Sequence, residues 1–450
     1  MALPSTAVFE VRTTGSDLNG GGFNPSRGGG GVDRSQSDTP YVDIDNGELI
    51  VTVHSTTTQV TGTFLTVSTA DLGNFLQITG GTATAGVYEI TAVDTINRRW
   101  TLDRSCGTAG QTIVGRMGGA FVSPGKAATT IGSINSTGVY WKAGSYTSSA
   151  TITFPTGTRV LGYATSRGDG TASNGPTLTA SAGSITLIGV ANGGTNITFA
   201  NIRVNGGGQS SVVGFNLRNS SFSEARNHAV SCTATSCATG YQGVAGVCTS
   251  TVNCVATSCT VGYSRLDCYG CESVSCTTGF QGTSTASVFD RCIASGGTTP
   301  FDVSSGGQSM LSNCVAYGGS GNGFKSDYSG NSSGSVLVNC IAYGNGASGA
   351  LFSGANCSAV VMNCAFGANT TAAISSIGNG LSINTVTLSA DPFVDAASGN
   401  FALNSTAGGG AACKAAGIPG AFPGGLTTGY LDIGAAQSQA STAGYPRRSR

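Results

Sequence analysis

Three carboxylates beside a pair of cysteines are the residues whose types and spacing could carry out chemistry. Asp267 and Glu272 flank Cys268 and Cys271, and Asp290 follows one repeat later. Hydrolysis of a glycosidic bond needs two carboxyl groups about 5 to 9.5 Å apart, whereas elimination needs acidic residues that bind a cation beside a base. Asp267, Glu272 and Asp290 are therefore the candidate catalytic residues, provided that aligned positions of successive repeats stack.

Two arginines near these acids favour a non-catalytic interpretation. Arg265 and Arg291 would pair with the carboxylates as surface ion pairs. The two histidines, His54 and His228, have no serine or cysteine partner in a recognisable motif. We therefore expect no catalytic residues, and glycan cleavage by the three acids is the alternative.

The cysteines mark a repeat. Leading cysteines are about 22 residues apart, and such a period in a chain rich in glycine and β-branched residues predicts stacked β coils. Coils of this kind stack like residues into ladders along their axis. We predict one internal ladder of buried thiols, formed by Cys232, Cys254, Cys271, Cys292, Cys314, Cys340 and Cys364.

Metal binding is the functional alternative for these cysteines. Cys268-Tyr-Gly-Cys271 is the one CxxC motif in the sequence. No second pair and no nearby histidine completes the four ligands of a zinc site. We therefore expect no metal and no other cofactor.

Other positions recur with the cysteines. Val336, Val338 and Cys340 share one parity, which predicts that all three point into the core, and the same holds for Val360, Met362 and Cys364. Asparagines at predicted turns could bond along the stack through their amides: Asn253, Asn313, Asn339 and Asn363. An apolar residue nine to eleven positions after each cysteine predicts two aligned strands per coil: Tyr241, Tyr263, Phe280, Phe301, Phe324 and Leu351.

Two tyrosines are candidates for glycan binding. Tyr317 and Tyr343 occupy the same place in successive repeats. Stacked on the outside, their rings could form a platform for sugars, and plain packing is the alternative.

The overall composition limits the possible partners. The 450 residues include 21 basic and 21 acidic side chains, and only 9% are charged, against roughly 25% in an average soluble domain. A neutral chain of this kind predicts no binding to nucleic acid through a basic face. No stretch of about 18 apolar residues predicts membrane insertion. The first residues lack the basic and apolar regions of a secretory signal, which predicts folding in the cytosol.

Four segments carry a resemblance to a known superfamily. Val8-Phe-Glu-Val-Arg-Thr-Thr-Gly-Ser-Asp17-Leu-Asn19 resembles the opening strand of right-handed parallel β-helix, or pectin-lyase-like, proteins. Residues 123–127 with 139–146, and the closing Leu431-Asp-Ile-Gly-Ala435, are also similar to segments of that superfamily. The resemblance implies an all-β fold, a right-handed parallel β-helix with coils of about 22 residues.

The predicted domains follow from this resemblance. Residues 1–40 form an N-terminal arm and the opening strand, and residues 41–118 form an inserted small β domain. Residues 119–440 form the β-helix, and residues 441–450 form a basic C-terminal tail.

Two phrases of the insertion, residues 71–75 and 86–91, resemble structural proteins of tailed bacteriophages. This resemblance implies a virion protein made in the host cytoplasm, namely a capsid decoration protein, head fibre or spike. The expected partners are other copies in a homotrimer, virion proteins such as the capsid, and host surface glycans. A polysaccharide depolymerase or lyase of the tailspike type is the alternative function.

Overall fold

Short parallel strands, wound as coils, make up most of the structure. The computed structural model describes residues 6–44, 51–62, 65–132, 138–192, 194–218, 226–244, 249–282, 287–304, 308–327, 333–353, 357–377, 380–414, 416–417 and 432–437. The predicted tail, residues 441–450, lies outside these ranges, as does Leu431 of the closing phrase. The chain divides into two compact units, Met1–Gly207 with Arg218–Thr233 (unit 1) and Gly208–Leu217 with Ala234–Arg450 (unit 2).

Unit 1 begins with coils of three parallel sheets. Sheet 1 contains Val8–Val11, Gly138–Lys142, Arg159–Tyr163, Thr198–Ala200 and His228–Val230, with Gly22–Phe23 antiparallel to the first strand. Sheet 2 contains Ser145–Ser148, Thr177–Ala180 and Arg203–Asn205. Sheet 3 contains Thr153–Phe154 and Thr186–Val190.

A closed antiparallel β-barrel is inserted into the first coil of unit 1. Its core includes Trp100, whose indole N–H donates to Asp71 Oδ2 at 3.0 Å. Strand Thr112–Met117 pairs with both Val51–Val53 and Phe75–Gly81, and this double pairing closes the sheet. The strands are Val42–Asp43, Val51–Val53, Gln59–Gly62, Phe75–Gly81, Gly86–Asp94, Arg99–Leu102 and Thr112–Met117.

The opening phrase anchors the first helix of unit 1. Asp17 Oδ1 accepts the backbone N–H groups of Val122 and Ser123 at 3.1 and 2.9 Å, and its Oδ2 accepts the Ser123 hydroxyl at 2.7 Å. Ser123 in turn caps helix Pro124–Ile131. Asn19 donates to the Ala120 carbonyl at 2.8 Å. The polar residues of this phrase are therefore structural, because they join the N-terminal strand to the chain that follows the barrel.

Unit 2 continues the same pattern of three sheets. Sheet 1 contains Ser250–Val252, Asp267–Tyr269, Ser287–Asp290, Ser309–Ser312, Ser333–Val338, Cys357–Met362 and Leu381–Ile383. Sheet 2 contains Thr233–Thr235, whose first residue belongs to unit 1, and Val255–Thr257, Glu272–Val274, Ile293–Ser295, Val315–Tyr317, Ile341–Tyr343, Ala365–Gly367 and Val386–Leu388. Sheet 3 contains Val213–Asn216, Thr239–Gln242, Val261–Ser264, Thr278–Gln281, Thr299–Asp302, Phe324–Asp327, Ala350–Ser353 and Ile374–Ser375.

These strands confirm the predicted fold, an all-β parallel β-helix with a small β domain near the N-terminus. Each coil has three strands, however, and not the two that the sequence pattern predicted. The strand that was missed is the three-residue strand of sheet 2, which directly follows the leading cysteine and carries a small inward residue such as Ala294 or Ala316.

Aromatic rings stack along the inside of sheet 3 in unit 2. Consecutive rings lie 4.6 to 5.0 Å apart between centroids, in the order Phe215, Tyr241, Tyr263, Phe280, Phe301 and Phe324. The prediction that Leu351 continues this row is wrong. Phe324 pairs with Ala350, and Leu351 is aligned with Lys325. Ala350 follows Cys340 by ten residues, as Phe324 follows Cys314, whereas Leu351 follows Cys340 by eleven.

Left-handed residues turn the chain from sheet 1 to sheet 2. They directly precede the leading cysteines and have φ between 49° and 61°: Ser231, Asn253, Gly270, Arg291, Asn313, Asn339 and Asn363. Asn339 donates to Asn313 Oδ1 at 3.3 Å, so two of the corner amides bond along the stack.

The left-handed corner residues explain why the prediction that four residues of sheet 1 point into the core is wrong. Leu337 and Val361 fill the interior and are fully buried, whereas Val336, Val338, Val360 and Met362 lie on the outward side of sheet 1. A left-handed residue breaks the two-residue alternation of a strand. Residues on either side of Asn339 or Asn363 therefore do not share a face with the cysteine that follows.

The C-terminal segment of unit 2 covers the outward side of sheet 2. It contains hairpin Phe393–Asp395 and Asn400–Leu403, a 3₁₀ turn at Ala396–Ser398 and the short helix Gly410–Cys413. Ile433 of the closing phrase donates its N–H to the Cys413 carbonyl at 2.9 Å. Residues of this segment and of sheet 2 share one apolar cluster that includes Val315, Ile341 and Phe401.

Candidate functional site

The three candidate acids of unit 2 do not share one face. Asp267 and Asp290 lie on sheet 1, whereas Glu272 lies on sheet 2 and is aligned with Ile293. Nor does Asp290 stack directly on Asp267, because the strand register aligns Asp290 with Tyr269. Asp290 precedes its ladder cysteine by two residues and Asp267 precedes its own by four, which explains the offset.

Asp290 is held by three side chains. Its Oδ1 accepts the Ser312 hydroxyl at 2.8 Å and the Asn313 amide at 3.0 Å. Its Oδ2 lies 2.9 Å from Arg291 Nε. The arginine at this position was predicted to neutralise the acid, and the geometry assigns Asp290 a structural role at the corner of the coil.

Asp267 has a different environment. It is half-buried, and its Oδ1 accepts the backbone N–H of Val288 at 2.9 Å. Burial raises the pKa of this carboxyl above its ordinary value, and the bond from Val288 opposes the rise only in part. The environment of Asp267 therefore favours the protonated form.

This environment predicts how an Asp267→Asn variant responds to pH. When the folded-state pKa is raised, the unfolded chain loses its proton first as the pH rises, so the carboxyl costs stability above the ordinary aspartate pKa. Asparagine can still accept the Val288 N–H but does not titrate. We expect the free energy of unfolding of Asp267→Asn to rise relative to wild type between about pH 3 and pH 7, as measured by guanidinium unfolding.

Asp267→Ala is the control for this experiment. It loses the bond to Val288 as well as the charge, so it should show the same pH trend with a constant loss of stability added. A difference between Asp267→Asn and wild type that does not change with pH would contradict the raised pKa.

The two candidate tyrosines lie beneath the C-terminal segment. Tyr317 stacks on Tyr343 with centroids 6.2 Å apart, as the sequence alignment of the two residues predicted. The rings of Phe393 and Phe401 pack edge-on against Tyr317, each with its centroid 5.7 Å from that of Tyr317. The Tyr317 hydroxyl donates to Asp391 Oδ2 at 3.1 Å. These contacts favour the packing alternative over an open sugar platform.

The predicted cysteines line the corner between sheets 1 and 2. The thiol of Cys314 lies 3.3 Å from the Ser312 carbonyl and 3.3 Å from the Phe289 carbonyl of the preceding coil. Cys340 and Cys364 repeat both contacts at 3.4 to 3.6 Å. A thiol here fills a small apolar space and can donate weakly to these carbonyls.

Burial predicts that these thiols are unreactive. It raises the pKa of Cys292, Cys314 and Cys364, which suppresses the reactive thiolate. The chain has 15 cysteines, and every one whose side chain the structure describes is buried. Cys248 and Cys357 are the two whose side chains are not described. With a thiol-reactive chromophore at neutral pH we expect at most these two to react in the native protein, and all 15 after unfolding.

A Cys248→Ser, Cys357→Ser double variant provides the control. It should give no rapid reaction while folded. Rapid reaction of any further thiol in the native protein would contradict the packed ladder.

A buried ionic network in unit 1 was not predicted. Glu10 is 0% exposed. Its carboxylate accepts Arg167 Nη2 at 2.7 Å, Arg167 Nε at 3.0 Å and Arg12 Nε at 3.2 Å, together with the Tyr163 hydroxyl. Arg167 also pairs with Asp33 at 2.8 Å. The network ties the N-terminal arm and the loop after Tyr163 to the first strand of sheet 1.

The chemistry of this network is structural. Arg167 donates to Glu10, Asp33 and the Ser35 hydroxyl, and its guanidinium packs 4.3 Å from the ring centre of Tyr140. Burial and the neighbouring Glu10 raise the pKa of Tyr163, which therefore stays protonated. The one sequence signal was a charged residue within the apolar strand Val8–Val11, and nothing in the sequence identified a partner 157 residues away.

The described residues contain no group of three histidine, cysteine, aspartate or glutamate side chains suited to holding a metal ion. Within those same ranges, no helix has the length and apolar character needed to cross a bilayer.

Three parallel sheets per coil, with inward thiol and aromatic rows, define the type of fold. It is a right-handed parallel β-helix. Neither a family model nor a curated protein matches the sequence.

Several solved structures are similar to this chain. The Azotobacter vinelandii mannuronan C-5 epimerase AlgE4 A-module is 13% identical, with 58% of this chain and 89% of that one covered and a TM-score of 0.39. Pectate lyase Pel9A is 15% identical, with 71% and 91% covered and a TM-score of 0.38. ORF18 of Geobacillus virus E2 is 10% identical, with 56% and 52% covered and a TM-score of 0.29.

Proposed function

We propose that this protein is a structural component of a phage particle, namely a capsid decoration protein, head fibre or spike that exposes its β-helix. The observation that carries the proposal is the closed barrel inserted after the opening strand. Residues 71–75 and 86–91, whose sequence resembles phage structural proteins, lie within this barrel. Capsid or other virion proteins are the proposed partners, and the virion is the proposed location.

The polar residues of the phage-like phrases support this proposal by their structural roles. Asp71 forms a capping box with Ser68 and accepts the Trp100 indole N–H. Asn74 bonds the arm through the Arg34 N–H at 2.9 Å and the Val32 carbonyl at 2.8 Å. Asp71 thus stabilises the barrel and Asn74 fixes the N-terminal arm against it. These are the roles expected of polar residues in a structural protein.

Quantitative mass spectrometry of gradient-purified phage particles tests the proposal. A copy number similar to that of the major capsid protein would indicate a head decoration protein. A small fraction of that number would indicate a tail or vertex spike. Absence from the particles would contradict the proposed function.

A second candidate function is cleavage of a host polysaccharide. The half-buried Asp267, with its raised pKa, has the property needed in a general acid. Host glycans would then be substrates as well as proposed binding partners, at a surface other than Tyr317 and Tyr343. Release of reducing sugar, or of an unsaturated product, that is lost in Asp267→Ala and in Asp290→Ala would support cleavage.

A further inference from the structure

The outward side of sheet 1 in unit 2 carries an apolar strip. A sheet that faces water on one side normally places polar residues there. Here parallel pairing aligns aliphatic residues of successive coils in two adjacent rows. The apolar strip consists of Val288, Met310, Val336, Val360 and Leu381 in one row, and Val338, Met362 and Ile383 in the other.

Several side chains of the apolar strip are open to solvent. Met310 is 48% exposed, Leu381 is 54% exposed and Ile383 is 36% exposed, and the other members are half-buried. The alternate residues of the same strands, such as Leu311 and Leu337, point inward and are fully buried. The strip is therefore additional to the aliphatic residues that the core of the β-helix requires.

The neighbouring sheet 2 has a comparable row of outward aliphatic residues, but that row is covered. Sheet 2 of the same coils also carries outward aliphatic residues, among them Val315, Ile341 and Ala365. All three are fully buried, because the C-terminal segment packs over them. Among the described residues, no segment covers the apolar strip of sheet 1 in this way.

The chemistry and area of the strip favour a second copy of this chain as its partner. No member carries a charge, so the strip is complementary to itself, and it extends along the coil axis, as side-by-side association requires. The exposed apolar surface of the strip is about 250 Å², estimated from the exposed fraction of each side chain and the surface area of an aliphatic side chain. A stable interface needs about 800 Å² per partner, so the strip fits the apolar centre of a larger interface with a polar rim.

We infer that the apolar strip is the contact surface between copies of this protein. The inference deepens the proposed function and rests on it, since it names the surface through which copies of a virion protein associate. The two are tested separately: particle composition tests the function, and the purified protein tests the strip.

The first experiment measures the mass of the purified full-length protein by light scattering. We expect an oligomer for wild type. Met310→Asp combined with Leu381→Asp puts negative charges into the apolar strip of every copy and should raise the dissociation constant by at least about 100-fold. Ile96→Asp is the matched control, because Ile96 is 90% exposed on a barrel hairpin and should leave the mass unchanged.

Unreactive thiols and an unchanged circular dichroism spectrum would show that the Asp variant is still folded. A monomeric wild-type protein at every concentration would overturn the inference. So would an Asp variant that stays assembled, because the copies would then associate through another surface. Neither result affects the proposed function, which depends on the presence of the protein in particles.

Cross-linking gives a second, independent measurement. Ser312 lies in the same row as Val338, next to Met310, and can be replaced by cysteine in the Cys248→Ser, Cys357→Ser background. A short bismaleimide should join copies through Ser312→Cys and leave an Ile96→Cys control uncross-linked. Failure of Ser312→Cys to cross-link an assembled protein would overturn the inference.

Discussion

Replacement of Glu10 by alanine is expected to lower the free energy of unfolding of unit 1 by about 3 to 5 kcal/mol. The substitution removes the carboxylate that Arg167 and Arg12 share, and it leaves Arg167, which is only 20% exposed, with Asp33 as its carboxylate partner. The loss comes from stranding buried charges, so it should exceed the value of the ion pairs themselves. Arg167→Ala strands Glu10 in the same way and should have a loss of similar size.

Tryptophan fluorescence provides a local measurement of this effect. The chain has two tryptophans, Trp100 in the barrel and Trp141 on sheet 1, where Trp141 is aligned with Val11 of the Glu10 strand. In a Trp100→Phe background, the guanidinium unfolding of Trp141 reports the coils next to the network. This local probe is useful because solenoids need not unfold in one step.

The exposed ion pair of the same region is the control. Asp38 lies 3.4 Å from Arg12 and is 45% exposed, so Asp38→Ala should cost less than about 1 kcal/mol. The Glu10→Ala, Arg167→Ala double variant should lose less than the sum of the two single losses, because neither charge is then stranded. Additive losses would contradict a coupled network.

Phe280→Ala is expected to lower the free energy of unfolding of unit 2 by about 3 to 5 kcal/mol. Phe280 is fully buried, and its ring lies 4.6 Å from that of Tyr263 and 4.7 Å from that of Phe301. Removal of the ring leaves a cavity inside a stack whose neighbours are held in register by strand pairing. The coils therefore cannot close the space.

Both tryptophans lie in unit 1, so thiol reactivity is the measurement for unit 2. The ladder cysteines should become reactive at a lower guanidinium concentration in Phe280→Ala than in wild type. Tyr263→Phe is the matched control, because it keeps the ring and loses only the bond from the hydroxyl to the Glu272 carbonyl at 3.0 Å, at a cost of about 1 kcal/mol. Equal effects of the two variants would contradict the importance of the stack.

Local repetition explains why the fold could be predicted from sequence. A cysteine followed nine residues later by an aromatic residue fixes two rows of the coil, and Tyr241, Tyr263 and Phe280 lie where that spacing predicts. Spacing alone does not give the register when coil lengths change. Leu351 was therefore placed in a row that Ala350 occupies, and Asp290 was placed opposite Asp267.

The other errors come from backbone conformation and long-range contacts. Alternation predicted an inward Val338, but the left-handed Asn339 reverses the direction of the side chains at the corner. The Glu10 and Arg167 pair joins distant parts of the chain and leaves no periodic signal. The cover over Tyr317 is formed by a C-terminal hairpin that lies outside the repeat.

The left-handed corner before each leading cysteine has a consequence for how unit 2 could change its length. Each coil from Cys254 to Phe324 contains its own corner, thiol and aromatic residue, and its strands pair with those of the adjacent coils. Ile293 and Val315 are aligned, so deletion of residues 293–314 would join Cys292 to Val315 with every later row in phase. Gain or loss of one such block is thus a modular change, which lengthens or shortens the unit by a whole coil while every remaining leading cysteine keeps its own left-handed corner residue.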